Sequence, residues 1–228
     1  MKYKGYNGKF CVIDLSKRTY EFKEITDGFV EMYVGGKGFA SYELYTRAFK
    51  GMDPLSPQNP IIIATGPLTA STAPTFGAKS IFACKSPLTN IYLDSVVGGF
   101  FGARLKSAGL DYIVVTGRSD APCYIWIHED GIEIRDAKEI WGKTSSETDQ
   151  LIKKDVGDEA NTSVAKIGPA GERLVRFSCI TVDIGRQAAR GGVGAVFGSK
   201  NLKAIAVTSK IRPPEPADKT AYNEVCLL

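Results

Sequence analysis

The chain has 228 residues, 43% of them hydrophobic and 24% charged, which is ordinary globular composition and enough length for one large core or two small ones. A formal net charge of +4, spread evenly, excludes the basic patch expected of a nucleic-acid binder. No run approaches the ~18 consecutive apolar residues of a membrane helix, and Met1-Lys2-Tyr3-Lys4-Gly5-Tyr6 lacks an apolar signal core, so a cytoplasmic protein without membrane contact is expected.

Residues 9–14 and 19–25 alternate between apolar and polar side chains around a turn at Ser16-Lys17-Arg18, the pattern of an opening hairpin. A helical pattern follows over 38–49. The continuous apolar run Pro60-Ile61-Ile62-Ile63-Ala64 then reads as a strand buried on both faces. A second helix is expected over 100–108, and a second buried strand at Tyr112-Ile113-Val114-Val115. Residues 123–128 and 132–135 form another hairpin, because the Asp130-Gly131 step supplies the positive-φ positions of a tight turn. A third helix covers 145–156, with Ser145 as its cap and Lys153-Lys154 near its C-terminal end. Strands outnumber helices without regular alternation, so the expected class is α+β. The prolines of Ile211-Arg212-Pro213-Pro214-Glu215-Pro216 lack amide donors and end regular structure. Residues 1–210 are accordingly read as one domain, and 211–228 as a linker or the start of a following, absent domain.

An internal repeat organises this domain. Placing Leu110 on Leu202, an offset of 92, also superposes Gly99 on Gly191, Gly102 on Gly194, Ala103 on Ala195, Ser107 on Ser199, Ile113 on Ile205, Val115 on Val207 and Thr116 on Thr208. Upstream, Ile63-Ala64-Thr65-Gly66-Pro67 resembles Ala165-Lys166-Ile167-Gly168-Pro169 at an offset of 102. Two copies are too few for a solenoid. The expected architecture is two related β-sheets about a pseudo-two-fold axis with a few helices, bringing both glycine-rich turns towards one shared surface.

Those turns are Val97-Gly98-Gly99-Phe100-Phe101-Gly102 and Arg190-Gly191-Gly192-Val193-Gly194-Ala195. Glycines let backbone amides approach a ligand closely, which suits phosphate, although glycine pairs also serve tight packing. Arg186 and Arg190 lie four apart beside the second turn; a helical stretch would put both guanidiniums on one face, where their forks match phosphate oxygens. Nucleotide signatures fit badly. Gly36-Lys37-Gly38-Phe39-Ala40-Ser41 has Ser41 where a dinucleotide fingerprint needs its third glycine, and Gly194-Ala195-Val196-Phe197-Gly198-Ser199-Lys200 is not a Walker loop.

Five scattered cysteines argue against a disulfide framework, zinc site or iron–sulfur site made by this chain alone. Cys11, Cys84, Cys123 and Cys179 read as small buried hydrophobes, and Cys226 as exposed. The single histidine, His128, ends a hairpin strand and makes a triad improbable. Asp94 and Asp183 read as solvated acids rather than proton carriers. No catalytic residue is assigned, so any reactive group must come from a cofactor.

Several long strings carry a family resemblance: Gly66-Pro67-Leu68-Thr69; Lys85-Ser86-Pro87-Leu88-Thr89; Gly98-Gly99-Phe100-Phe101-Gly102-Ala103; Ile167-Gly168-Pro169-Ala170-Gly171-Glu172; and Arg190-Gly191-Gly192-Val193-Gly194-Ala195-Val196, followed by Gly198-Ser199-Lys200-Asn201-Leu202-Lys203-Ala204-Ile205-Ala206-Val207. Over residues 5–210 the chain resembles the N-terminal domain of the aldehyde:ferredoxin oxidoreductases. The resemblance implies a two-sheet base on which two molybdopterins chelate one tungsten (or molybdenum). It further implies aldehyde oxidation, with electrons passing through a [4Fe-4S] cluster held by absent downstream domains to ferredoxin. Carried onto matching positions, Arg186, Gln187, Ala189 and Arg190 contact the pterin phosphates or the magnesium bridging them, Gln187 through its carbonyl. Val96 and Gly98 do the corresponding work in the other half, mostly through backbone. Two departures stand out. Val96 replaces an asparagine, and Ala78-Lys79 replaces an arginine linking pterin and cluster in the loop after Ala73-Pro74-Thr75; Lys79 supplies charge but not a bidentate fork. The isolated chain is expected to be catalytically silent, because an exposed half-site cannot hold a cluster or exclude water, and a face left open by missing domains leaves room for a homodimer. The alternatives are a tungsten reductase of aromatic acyl thioesters, resembling the benzoyl-coenzyme A reductases, and a non-catalytic scaffold keeping the fold.

Overall fold

The structure, a computed structural model, describes residues 1–73 and 77–226. Its strands divide evenly between two sheets. The first contains β1 (Lys9–Asp14), β2 (Thr19–Glu24), β3 (Ile61–Thr65), β4 (Ser80–Lys85), β5 (Tyr92–Val97) and β6 (Tyr112–Thr116) in the order β2-β1-β6-β3-β4-β5. The second contains β7 (Cys123–His128), β8 (Gly131–Asp136), β9 (Thr162–Lys166), β10 (Ile180–Val182), β11 (Arg186–Ala188) and β12 (Leu202–Thr208) in the order β8-β7-β12-β9-β10-β11. Adding six to every strand number of the first order gives the second. The one parallel pairing of each sheet also corresponds, β1 with β6 and β7 with β12, the rest being antiparallel. The repeat read from sequence is therefore a repeat of whole topology, and the fold is α+β as expected.

The buried strands obey the two-residue period of side-chain direction. Cys11 and Ile13, Ile61 and Ile63, and Ile113 and Val115 point into a core shared with Cys123, Ile125, Ile127, Ile205 and Val207 of the other sheet. Their alternates turn outward. Ile62, Ala64, Tyr112 and Val114 pack with Val30 of α1 (Asp27–Tyr33) and with Phe39 and Leu44 of α2 (Lys37–Arg47). Tyr124, Val164, Ala204 and Ala206 pack with Ile152 of α4 (Ser145–Val156). This explains the continuous apolar runs: each strand is covered by a sheet on one side and a helix on the other. The helices that follow the glycine-rich turns, α3 (Phe101–Ser107) and α6 (Val193–Ser199), send Phe101, Leu105, Val193, Val196 and Phe197 into the shared core.

Three sequence expectations are corrected. The cap of α4 is Thr144, not Ser145. The Thr144 hydroxyl accepts from Glu147 N at 3.3 Å while Glu147 accepts from Thr144 N at 2.8 Å, a reciprocal capping box. The segment holding Arg186 is a strand, because Ile180–Val182 and Arg186–Ala188 pair antiparallel as a short hairpin; no helical face joins Arg186 to Arg190. Cys226 is half-buried in α7 (Lys219–Cys226), and Cys179 is half-buried too, whereas Cys11, Cys84 and Cys123 are buried as expected. One further short helix, α5 (Pro169–Glu172), starts at the second Gly-Pro step. Its Glu172 pairs with the fully buried Lys203. Lys106 with Asp111 and Lys166 with Asp149 form two more buried pairs, each 2.5 Å apart; such pairs fix geometry more than they add stability. No described helix is long and apolar enough to cross a membrane.

Candidate functional site

Strands β5 and β11 are the edges of their sheets, and they meet. Edge strands carry unpaired main-chain groups, and here a side chain satisfies them. Ser95 Oγ accepts from Ala189 N at 2.8 Å and donates to Ala189 O at 3.0 Å. Around this stitch each half holds the glycine-rich turn of the other. Ser86, in the loop after β4, donates to Gly191 O at 2.7 Å. Asp183, directly after β10, accepts from Phe100 N at 2.7 Å. The two glycine-rich turns stand at opposite ends of this contact, the first against Asp183 and the second against Leu93, Ser86 and Pro87, so the string at residues 85–89 grips the second turn.

The glycines are required by this grip. Gly99 has φ +104°, and a Cβ there would stand 2.6 Å from Asp183 Oδ2. Gly191 has φ +82°, and a Cβ would meet Leu93 Cδ1 at 2.7 Å. Both positions exclude side chains by conformation and by space. Gly99 is half-buried and Gly191 buried, each lying beneath a side chain of the other half.

The residues singled out by sequence line this seam. Gly98 is partly exposed, and Lys79 Nζ lies 3.9 Å from the Cβ position it would have. Val96 is 48% exposed on β5, so its contribution to any polar contact is main-chain. Arg186 and Arg190 are exposed on either side of Gln187, Ala188 and Ala189. Among the described residues no carboxylate pairs with Arg186, Arg190 or Lys79, although other cations find partners, such as Lys37 with Asp94 at 2.6 Å. Gln187 Oε1 accepts from Cys179 Sγ at 2.9 Å and from Thr181 Oγ1 at 3.1 Å. Its side-chain oxygen is thus occupied by Cys179 and Thr181, although the residue itself is exposed. Arg190 reaches its position through an αL backbone, φ +57°, not through a helix. Pro74 and Thr75 lie outside the described residues, while Ala78 and Lys79 lie beside Gly98's turn.

Apolar side chains complete the surface. Phe100 is 61% exposed and Ile184 is 93% exposed, flanking Asp183. Sequence reasoning missed Asp183, Ser86 and Ser95, whose partners are about 83 to 105 residues away in the chain. Asp183 is no solvated acid, and Asp94 is ion-paired. His128 stacks on Trp126, ring centroids 4.2 Å apart, far from this seam in the β7–β8 hairpin. Among the described residues no three His, Cys, Asp or Glu side chains form a group able to hold a metal ion. The face is open, not a pocket. Clefts of about 720 Å³ lie elsewhere, one where Tyr3, Tyr6 and Pro67 meet Pro214 and Tyr222, another between β7–β8 and α4.

The arrangement offers two exposed cationic forks, an exposed ammonium, the half-exposed main chain of Gly98 and exposed apolar side chains along the β5–β11 contact. That set matches a ligand with both phosphate and flat apolar parts. The sequence pattern of the aldehyde ferredoxin oxidoreductase N-terminal domain matches residues 10–209. Tungsten-containing aldehyde ferredoxin oxidoreductase of Pyrococcus horikoshii is 46% identical over 221 residues, covering 97% of this chain and 36% of the relative. The Pyrococcus furiosus enzyme of the same description is 48% identical, covering 96% and 36%. The WOR-like subunit of an aliphatic sulfonate oxidoreductase from Pyrococcus furiosus is 35% identical over 94% of the chain. Among solved structures, the active-site complex BamBC of benzoyl coenzyme A reductase, in complex with 1,5-dienoyl-CoA, superposes with a TM-score of 0.88 at 36% identity, covering 92% of this chain and 32% of that one. The chain thus spans about a third of the length of these relatives.

Proposed function

The chain belongs to the aldehyde ferredoxin oxidoreductase family, as its N-terminal domain, and on that premise we propose that the seam between β5 and β11 is one wall of a tungsten (or molybdenum) bis-pterin site. The observation that carries the reading is the β5–β11 contact, held by a glycine-rich turn at each end, with Arg186, Arg190 and Lys79 exposed along it. Arg186 and Arg190 bind phosphate through their guanidinium forks. Gly98, Val96 and Ala189 contribute main chain. Gln187 would offer its carbonyl to a magnesium ion accompanying the phosphates. Phe100 and Ile184 cover the apolar part of the ligand and exclude water from it.

A bound tungsten would supply the redox chemistry for aldehyde oxidation, with a [4Fe-4S] cluster and ferredoxin as the electron acceptors of the complete enzyme. This domain's work is to bind and orient. Two facts support that division: the exposed cations along the seam and the tungsten named in the relatives. In this reading the cluster ligands, the substrate cavity and any homodimer contact belong to the complete polypeptide.

A second reading, reduction of an aromatic acyl thioester, is favoured by the 36% identity to the benzoyl coenzyme A reductase complex. Joining this domain to the remaining two-thirds of a family polypeptide, in a host given tungstate, tests both. Metal analysis is expected to give about one tungsten per polypeptide, and much less in Arg186→Ala; a folded polypeptide without metal overturns the proposal. Dye-linked oxidation of aldehydes, set against reduction of an aromatic thioester, decides between the substrates.

A further inference from the structure

Asp183 occupies an unusual place for a carboxylate. It stands at the anion-facing seam, directly between the two halves, and every polar atom it has is engaged. Oδ2 accepts from Phe100 N at 2.7 Å, and Oδ1 accepts from the hydroxyl of Ser163, a residue with no solvent exposure. Its main-chain N donates to Val164 O at 3.0 Å, and its main-chain O accepts from the buried Lys166 ammonium, itself paired with Asp149. The backbone is left-handed, φ +51°, a conformation Asp and Asn tolerate better than other side-chain-bearing residues. Gly99 has no side chain where Oδ2 sits.

A negative charge beside a phosphate site weakens anion binding by simple Coulomb repulsion. Asp183 therefore works against the site's charge while fixing its shape. From this conflict we infer that Asp183 is a positioning residue for the cofactor phosphates: it pins the Gly98-Gly99-Phe100 turn of the first half to the second half, setting the spacing between Gly98's turn and Arg186 and Arg190. Ser163 orients the carboxylate, and Lys166 anchors the backbone carrying it. The inference rests on the proposed phosphate site and adds to it the residue that holds its two halves in register.

The opposing signs of charge and geometry make the inference testable on this chain with inorganic pyrophosphate as the probe, its binding measured by calorimetry. Asp183→Asn keeps an oxygen for Phe100 N and suits the left-handed backbone, yet removes the charge. It is expected to bind pyrophosphate as well as the wild type or up to about threefold more tightly, the effect of one exposed charge. Asp183→Ala removes charge and latch together and is expected to bind at least about tenfold more weakly than Asp183→Asn, because a misplaced contact loses its binding geometry. Equal affinities for the two variants overturn the inference, since only the charge would then matter. Ser163→Ala changes no charge and leaves the seam's surface intact; about threefold weaker binding is expected from loss of one supporting hydrogen bond. Should Asp183→Ala fail to fold, Ser163→Ala decides, and unaltered binding there overturns the inference. A wild-type chain that does not bind pyrophosphate overturns the phosphate site and the inference together, whereas loss of binding in Arg190→Ala with no change in Asp183→Ala and Ser163→Ala overturns the inference alone.

Discussion

Replacing Ser95 by alanine tests whether the two halves are stitched where the cofactor surface requires it. The hydroxyl serves both main-chain groups of Ala189, accepting at 2.8 Å and donating at 3.0 Å, and the residue is 8% exposed. Without it, one N–H and one C=O on the edge strand lose their partner, and alanine offers no substitute. A buried group left unsatisfied costs about 1–3 kcal/mol. Ala189 is only partly buried, so water recovers some of this, and about 2 kcal/mol for the pair is the expected loss. For a domain of this size that corresponds to a fall in Tm of roughly 4–8 °C. Urea unfolding followed by the fluorescence of Trp126 and Trp141 gives the free energy, with an unchanged m-value showing that the transition has kept its character. Ser107→Ala is the matched control: its hydroxyl accepts from Arg212 N at 2.9 Å but is exposed, and its loss is expected to cost under about 0.5 kcal/mol. If Ser95→Ala is as harmless as Ser107→Ala, the two edges are held by packing alone and the stitch is incidental.

Two other predictions follow from buried groups. Lys200 is fully buried, donates to Pro57 O at 2.8 Å and Gly117 O at 3.0 Å, and has its pKa pushed down by burial to about 7. Between that value and the ~10.4 of an unfolded lysine, the unfolded chain holds the proton and the folded chain does not, so stability rises with pH by about 1.4 kcal/mol per unit. Below pH 7 the penalty of the buried charge is present in full; above ~10.4 it is gone. Comparing Lys200→Met with wild type from pH 7.5 to 9 is expected to remove about 2 kcal/mol of this rise. Parallel profiles would refute it; the carbonyls left behind add only a pH-independent offset. At the second turn, Gly192 has φ +84°, and a Cβ would lie 1.9 Å from Arg176 O and 2.9 Å from Pro87 Cγ. Gly192→Ala should therefore cost about 3 kcal/mol or more in urea unfolding, from strain and overpacking together, and a loss below about 1 kcal/mol would show that the turn can move aside.

Much of the fold was legible because it rests on local periodicity. The opening hairpin, the Asp130-Gly131 hairpin and the strands around Ile62 and Val114 announce themselves by side-chain alternation, turn chemistry or unbroken apolarity. The offset of 92 anticipated that two halves share a plan, and strand order bears this out over all six positions. Legibility failed where the determinants are short or distant. The three residues of β11 are too few to display a period, so the four-residue spacing of Arg186 and Arg190 suggested a helix instead. Thr144 was passed over for Ser145 although Glu147, three residues on, marks the capping box. Asp183 read as a solvated acid because nothing near it in sequence reveals Phe100 or Ser163 as its partners. One of its side-chain bonds, from Phe100 N, crosses between the two halves, and only the folded arrangement exposes it.

The central claim is that the seam between the glycine-rich turns, rather than a larger cleft, is the phosphate-binding surface. A heteronuclear NMR titration of this chain with inorganic pyrophosphate tests it directly. Saturable amide shifts are expected over residues 96–100 and 186–192, abolished by Arg186→Ala combined with Arg190→Ala. Shifts confined to the cleft around Tyr3, Pro67 and Tyr222, or to the groove of Tyr45, Phe49 and Tyr92, would contradict it.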